Sequence, residues 1–231
     1  MQETGFQTQE NHLTSPLQTI VSSVYTNSES GGVHSYILDA LFELCPRLGP
    51  ESRVLDVGCG NGSVAAEVAK TGCRLVGIDM SESGIRFARQ ICPAARFEVL
   101  PANADLLDNL GEKPFDVVYS LEVIEHLYDV ASFLKGCFAA TRSGGIFICS
   151  TPYHGYAKNL LLALLDGWDR HHSSGYAGEH IQFFSRQTLS RVLQEAGFRH
   201  LRFRGAGRAP FLWKSMLMSG VALQSPIDST S

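Results

Sequence analysis

A short apolar strand that runs straight into a glycine-rich turn and on into a helix constrains this chain more than any other feature. The run is Val54-Leu55-Asp56-Val57-Gly58-Cys59-Gly60-Asn61-Gly62-Ser63. Its glycines open backbone conformations closed to other residues, so the loop can turn sharply and bring amide N–H groups up to a ligand at the positive end of a helix dipole. A strand of this kind, apolar but for Asp56, belongs inside a parallel sheet covered on both faces.

The flanking sequence repeats the unit. Val33, Ile37, Leu38, Leu41 and Leu44 recur at helical steps until Pro46 and Gly49-Pro50 stop the pattern. Strand-like runs at 53–57, 74–78, 96–100, 116–120 and 145–150 then alternate with helical stretches at 64–70, 82–91 and 130–140. A helix at 185–196 and two last strands at 200–203 and 215–221 follow. The expected fold is α/β, a doubly wound, mostly parallel seven-stranded sheet of Rossmann-like type.

Residues 151–179 break the rhythm with aromatics, histidines and a short Leu-rich helix at 159–165, at the carboxyl end of a strand where such folds place substrate-binding elements. The expected organisation is a tail at 1–30, poor in apolar residues, one domain over 31–222 with 151–179 as its substrate-covering insertion, and a short tail at 223–231.

Charge and cysteine usage narrow the setting. With 19 basic against 23 acidic residues the net charge is −4, which offers no electrostatic footprint for a nucleic acid. The six cysteines include no C-x-x-C pair and read as reduced thiols of a cytoplasmic protein. Neither a secretory signal nor an apolar run long enough to span a bilayer is present, so integral membrane contact is not expected, and peripheral contact is left open.

An adenosine-containing cofactor is expected, because Asp79 ends the second strand about 20 residues after the loop, where a carboxylate accepts ribose hydroxyls. A dinucleotide fingerprint would want glycine at position 63, which is Ser63, and Asp56 just before the first glycine would repel a pyrophosphate but suits an ammonium group. The P-loop pattern is absent from the sequence.

At these residues the chain resembles the class I S-adenosylmethionine-dependent methyltransferases, through VLDVGCGNGSVA (54–65), VGIDMS (76–81), PFDVVYSLEVIEHL (114–127) and SGGIFICSTP (143–152). The resemblance implies S-adenosyl-L-methionine as cofactor. It assigns its methionine end to Asp56 and the loop Gly58, Cys59, Gly60, Asn61 and Gly62, and its ribose to Asp79. It places Met80 near the adenine, Asn103 and Ala104 at the adenine edge, and the backbone of Leu121 near the methionine part. The family commonly has Asp where this chain has Asn103.

Glu122, Glu125 and His126 stand at i, i+3 and i+4, so in a helix or tight turn they share one face. With His180 as a fourth ligand from the end of the long loop they could bind a divalent cation (Mg, Mn, Fe or Zn); without a metal, His126 could serve as general base. The E-x-x-E-H pattern resembles the ubiquinone-pathway O-methyltransferases, and also the small-RNA 2′-O-methyltransferases, which the acidic net charge disfavours. The expected activity is methyl transfer to an oxygen of a small aromatic or prenylated hydroxylated acceptor, with Tyr153, Tyr156, Leu160, Leu161, Leu164 and Trp168 as candidate pocket walls. His171 and His172 are expected to face solvent or pack within the loop, with substrate contact as the alternative. Methyl transfer to nitrogen or carbon, and a non-catalytic cofactor-binding subunit, are the alternatives; acceptor and oligomeric state stay open.

Overall fold

In a computed structural model, residues 34–166 and 180–223 are described. Seven strands form one sheet in the order β3-β2-β1-β4-β5-β7-β6: β1 is Arg53–Val57, β2 Arg74–Asp79, β3 Arg96–Val99, β4 Phe115–Ser120, β5 Thr141–Pro152, β6 Phe198–Ala206 and β7 Ser215–Ala222. Pairing is parallel from β3 to β5; β7 runs antiparallel between β5 and β6. The doubly wound, mostly parallel expectation holds.

Alternation along the strands sorts side chains into two cores. Val54, Leu75, Val117, Tyr119, Ile148 and Leu217 face one layer, with Ile37, Leu41 and Leu44 of α1 (His34–Leu44), Ala65 and Val68 of α2 (Ser63–Ala69), and Ile85 and Ala88 of α3 (Glu82–Ile91). Leu55, Val57, Ile78, Val118, Phe147 and Met218 face the other. There Leu106 and Leu110 of α4 (Leu106–Leu110), Phe133 and Leu134 of α5 (Val130–Ala140), and Leu189 and Leu193 of the last helix cover them. Each such buried aliphatic or aromatic side chain contributes about 1.5–3 kcal/mol.

Several elements differ from the sequence reading, β6 among them, since Phe198–Ala206 replaces the expected 200–203. Helix α4 was not expected: five residues are too few to show a period, and it ends at Gly111 in the left-handed region. Strand β5 begins four residues earlier than position 145, because Thr141 pairs with Phe115 before a register shift lets Ile146 pair with Val117; the intervening Arg-Ser-Gly-Gly reads locally as a turn. Helix α6 is Tyr156–Leu164 rather than 159–165. The last helix, α7 (Arg186–Glu195), starts where its signal said, with Ser185 and Thr188 forming a reciprocal capping box. Among the described residues no helix is long and apolar enough to cross a membrane.

Candidate active site

The glycine loop leaves β1 at the carboxyl edge of the sheet. Amide N–H groups of Gly58 and Cys59 donate to the carbonyl of Ile78 at 2.8 and 2.9 Å, tying the loop to the end of β2. Gly58, Gly60 and Gly62 all have positive φ. At Gly62 the reason is also one of space: a Cβ would sit 2.6 Å from the Ala88 side chain and 2.7 Å from its backbone, so only glycine lets the loop lie on α3.

Asp79, ending β2, organises this corner. Its Oδ2 accepts from the Gly60 amide at 2.8 Å and its Oδ1 from the Ser81 amide at 2.7 Å. Burial raises its carboxyl above the usual range, while backbone N–H bonds from Ser81, Gly60 and Met80 oppose the rise. Asn61 Oδ1 caps the Ser63 amide at 3.2 Å. Met80 follows at the surface of the same corner, half-buried.

Asp56 lies beneath the loop and is only 2% exposed. It is the register partner of Tyr119 on β4, and the Tyr119 hydroxyl donates to Asp56 Oδ2 at 2.9 Å. Burial pushes the Asp56 carboxyl up to about 7; the Tyr119 bond lowers it and the Asp79 charge raises it. Sequence reasoning missed Tyr119, since nothing in a β4 sequence marks its partner before the parallel register is known.

Asn103 and Ala104 lie in the loop between β3 and α4. Asn103 Oδ1 accepts from the Asp105 amide at 3.1 Å, and the Ala104 amide donates to Ser132 Oγ at 3.0 Å, so these groups are engaged within the protein. Leu121 follows β4 directly and is half-buried.

The E-x-x-E-H segment does not form one helical face. Glu122 has φ 55, in the left-handed region rarely taken by a residue with a side chain, and a 3-10 turn, Ile124–His126, begins only after it. Glu122 is thereby turned toward β5: its amide donates to Ser150 Oγ at 2.9 Å, and that hydroxyl donates back to Glu122 Oε1 at 2.7 Å. Burial raises the Glu122 carboxyl, opposed by the Ser150 and Ser215 hydroxyls and the Lys158 charge.

Glu125 is 0% exposed, and its carboxylate oxygens make no well-aligned hydrogen bond, the Thr151 hydroxyl being the side-chain group that faces them. Burial, then the neighbouring Glu122, hold its carboxyl well above the usual range. The Ile181 and Gln182 amides both donate to the Glu125 carbonyl at 2.9 Å, which stitches the segment before α7 onto the 3-10 turn. That stitching brings His180 to His126, with ring centroids 4.9 Å apart. Ligand atoms of Glu125, His126 and His180 all lie within 4.8 Å of one another; Glu122 stands outside this group. Sequence spacing brought four residues together, and the structure joins three of them.

Above these groups α6 adds Lys158, which is 5% exposed and donates to the Tyr153 carbonyl at 2.9 Å. Burial lowers its ammonium to about 8, the Arg208 charge adding to the fall and Glu122 opposing it. Of the candidate pocket walls, Tyr153 is buried edge-on against Trp213, whereas Tyr156, Leu160, Leu161 and Leu164 are exposed. Trp168, His171 and His172 lie outside the described residues.

A glycine loop clasped by a β2 carboxylate, a buried acid under it, and an acid–imidazole cluster at the end of β4 all stand at the carboxyl edge of a Rossmann-like sheet, where such folds bind their ligands. The chain belongs to the methyltransferase-domain family, whose model matches residues 32–202. It is 30% identical over 169 residues to the ubiquinone biosynthesis O-methyltransferase of Ruegeria sp. (strain TM1040), covering 70% of this chain and 66% of that protein. With a second such enzyme, from Methylobacterium sp. (strain 4-46), it shares 36% over 125 residues, covering 51% of this chain. The chain spans from half to two thirds of the length of these two relatives.

Solved structures agree in fold. The [4+2]-cyclase SpnF superposes with a TM-score of 0.61 at 15% identity, covering 82% of this chain and 80% of that one. The geranyl diphosphate C-methyltransferase of Streptomyces coelicolor A3(2), solved with Mg2+, geranyl diphosphate and S-adenosyl-L-homocysteine, does so with 0.57 at 14%, covering 81% and 78%. The fold is that of the S-adenosylmethionine-dependent methyltransferases, and at these identities the likeness speaks for architecture alone.

Proposed function

We propose that this protein transfers the methyl group of S-adenosyl-L-methionine to an oxygen of a small hydroxylated, aromatic acceptor. The observation that carries the reading is the adjacency, at one sheet edge, of the Asp56–loop–Asp79 corner and the Glu125–His126–His180 cluster. In this reading Asp56 faces the cofactor's ammonium, Asp79 takes the ribose hydroxyls, the glycine loop with Cys59 and Asn61 encloses the methionine end, Leu121 borders it, and Met80 and the Asn103–Ala104 loop flank the adenine. That the curated relatives named above are ubiquinone biosynthesis O-methyltransferases supports oxygen as the nucleophile.

The chemistry asks for positioning and for removal of one proton. The methyl leaves the sulfonium as its S–CH3 bond breaks and the O–CH3 bond forms in line, and the departing thioether is neutral. The acceptor's hydroxyl proton passes to the His126 imidazole, whose neighbour His180 lies edge-on to it. A buried carboxylate with no well-aligned hydrogen bond beside two imidazoles is also a donor set that fits a divalent cation, and the nitrogen-rich set suits Zn, Fe or Mn better than Mg. Glu125, His126 and His180 would hold it, and a bound cation would supply Lewis-acid stabilisation of the acceptor's oxyanion.

Calorimetric titration with S-adenosylhomocysteine and with NAD, followed by methyl-transfer assays on catechols, hydroxybenzoates and amines before and after chelation, tests the reading. S-adenosylhomocysteine binding without NAD binding, and turnover of hydroxylated acceptors, are expected. NAD binding alone, or turnover of amines only, would overturn it.

A further inference from the structure

Helix α6 is built inside out. Its apolar residues Tyr156, Leu160, Leu161 and Leu164 are exposed, and the one side chain that it buries is Lys158. Burial of apolar area would turn such a helix the other way, and lysine is almost never buried without an ionic partner. Among the described residues no carboxylate lies within ion-pair distance of its Nζ, and the Tyr153 carbonyl takes one of its three donors. Two N–H donors of a buried ammonium are left open, a cost of several kcal/mol for an ion with nothing to meet.

The surroundings are polar and likewise incomplete. Asn159 Oδ1, on the same helix, is buried without a hydrogen-bond partner. Glu122 is near enough to Lys158 to influence its charge, yet its Oε1 is held by Ser150. Among the described residues the charges that act on one another here are the Lys158 and Arg208 cations and the Glu122 carboxylate, one cation more than anions. Glu122 in turn acts on Glu125 of the acid–imidazole cluster, so Lys158 and that cluster share Glu122 as a charged neighbour.

Resting on the methyl-transfer reading above, we propose that Lys158 is an acceptor-binding residue whose open N–H donors take a carboxylate of the acceptor, making the acceptor class a hydroxylated aromatic acid. Such a molecule would set its hydroxyl at the Glu125–His126–His180 cluster and its carboxylate under α6. The anion would complete the Lys158 ammonium.

The probes are 3,4-dihydroxybenzoate and catechol, which differ only in the carboxylate, titrated into the full chain loaded with S-adenosylhomocysteine. The wild-type protein is expected to bind the acid about 10- to 100-fold more tightly, the range of a hydrogen bond to a charged group. Lys158→Met should bring that ratio close to one, and Lys158→Arg should keep part of it. Replacing a buried charge by an apolar chain of similar length leaves folding intact or improves it, and cooperative melting of both variants checks this. Equal affinity for the two probes in the wild type, or an unchanged ratio in Lys158→Met, would overturn the proposal. Catechol turnover with no preference for the acid would do so while leaving methyl transfer standing, whereas failure to bind S-adenosylhomocysteine would strike the underlying reading instead.

Discussion

Replacing Tyr119 by Phe removes one oxygen from the centre of the sheet and, with it, the hydroxyl that bonds Asp56. The ring stays, so the packing of β4 against α1 and α2 is kept and the change isolates the bond. A hydrogen bond to a charged group is worth about 1.5–3 kcal/mol, or roughly one to two pKa units. The Asp56 carboxyl, already pushed up to about 7, would then be pushed up further. At pH 7 its ionised fraction falls well below half, so affinity for a ligand whose ammonium needs the anion drops, by roughly 5- to 50-fold for the full energy of the lost bond.

The sign with pH follows from the same shift. Ligand-free protein holds a proton on Asp56 that the unfolded chain has already released, so this residue's contribution to stability is present below the ordinary carboxylate range and is lost as pH rises through about 7. The cofactor takes the ionised form, so wild-type affinity should climb nearly tenfold between pH 6 and pH 8. In Tyr119→Phe that climb should move about one to two pH units higher. Calorimetric titration of S-adenosylhomocysteine across this range, with thermal melts as a control on folding, measures both curves. Superimposable profiles for wild type and variant would refute the reasoning.

Asp79→Ala should weaken cofactor binding by about 1.5–3 kcal/mol and lower the melting temperature as well, because the Gly60 and Ser81 amides lose their acceptor; an unchanged calorimetric affinity would separate Asp79 from the cofactor. Gly62→Ala forces a side chain onto Ala88 and out of the favoured region, and denaturant unfolding should show a loss of about 1–3 kcal/mol together with weaker cofactor binding. Glu125→Gln should abolish binding of Zn2+ or Mn2+ in a metal titration while leaving stability equal or higher, since a buried carboxylate with no well-aligned hydrogen bond is removed; retained metal binding would place the cation elsewhere.

The parts of the fold visible in the sequence were those with a local cause. The β1 glycine loop, the Asp79 position and the Ser185 cap each follow from the conformation or bonding of a few consecutive residues. What stayed hidden depends on how distant segments meet. Tyr119 matters because parallel register sets it beside Asp56. Glu122 parts from Glu125 because a positive φ breaks the turn that the i, i+3, i+4 spacing presupposes. His180 reaches His126 through two amides bonded to the Glu125 carbonyl, a contact that its place at the end of the long loop only suggested. Lys158 gave no signal at all, since it stood before the helix expected at 159–165, and only the packing shows it turned inward.

The most direct test of the central claim is a reaction with S-adenosyl-L-methionine carrying a deuterated methyl group and 3,4-dihydroxybenzoate or catechol as acceptor, with the product fragmented by mass spectrometry. The account predicts the labelled methyl on an acceptor oxygen, with one S-adenosylhomocysteine formed per methyl transferred. Label on a ring carbon, or cofactor bound without any S-adenosylhomocysteine formed with either acceptor, would contradict it.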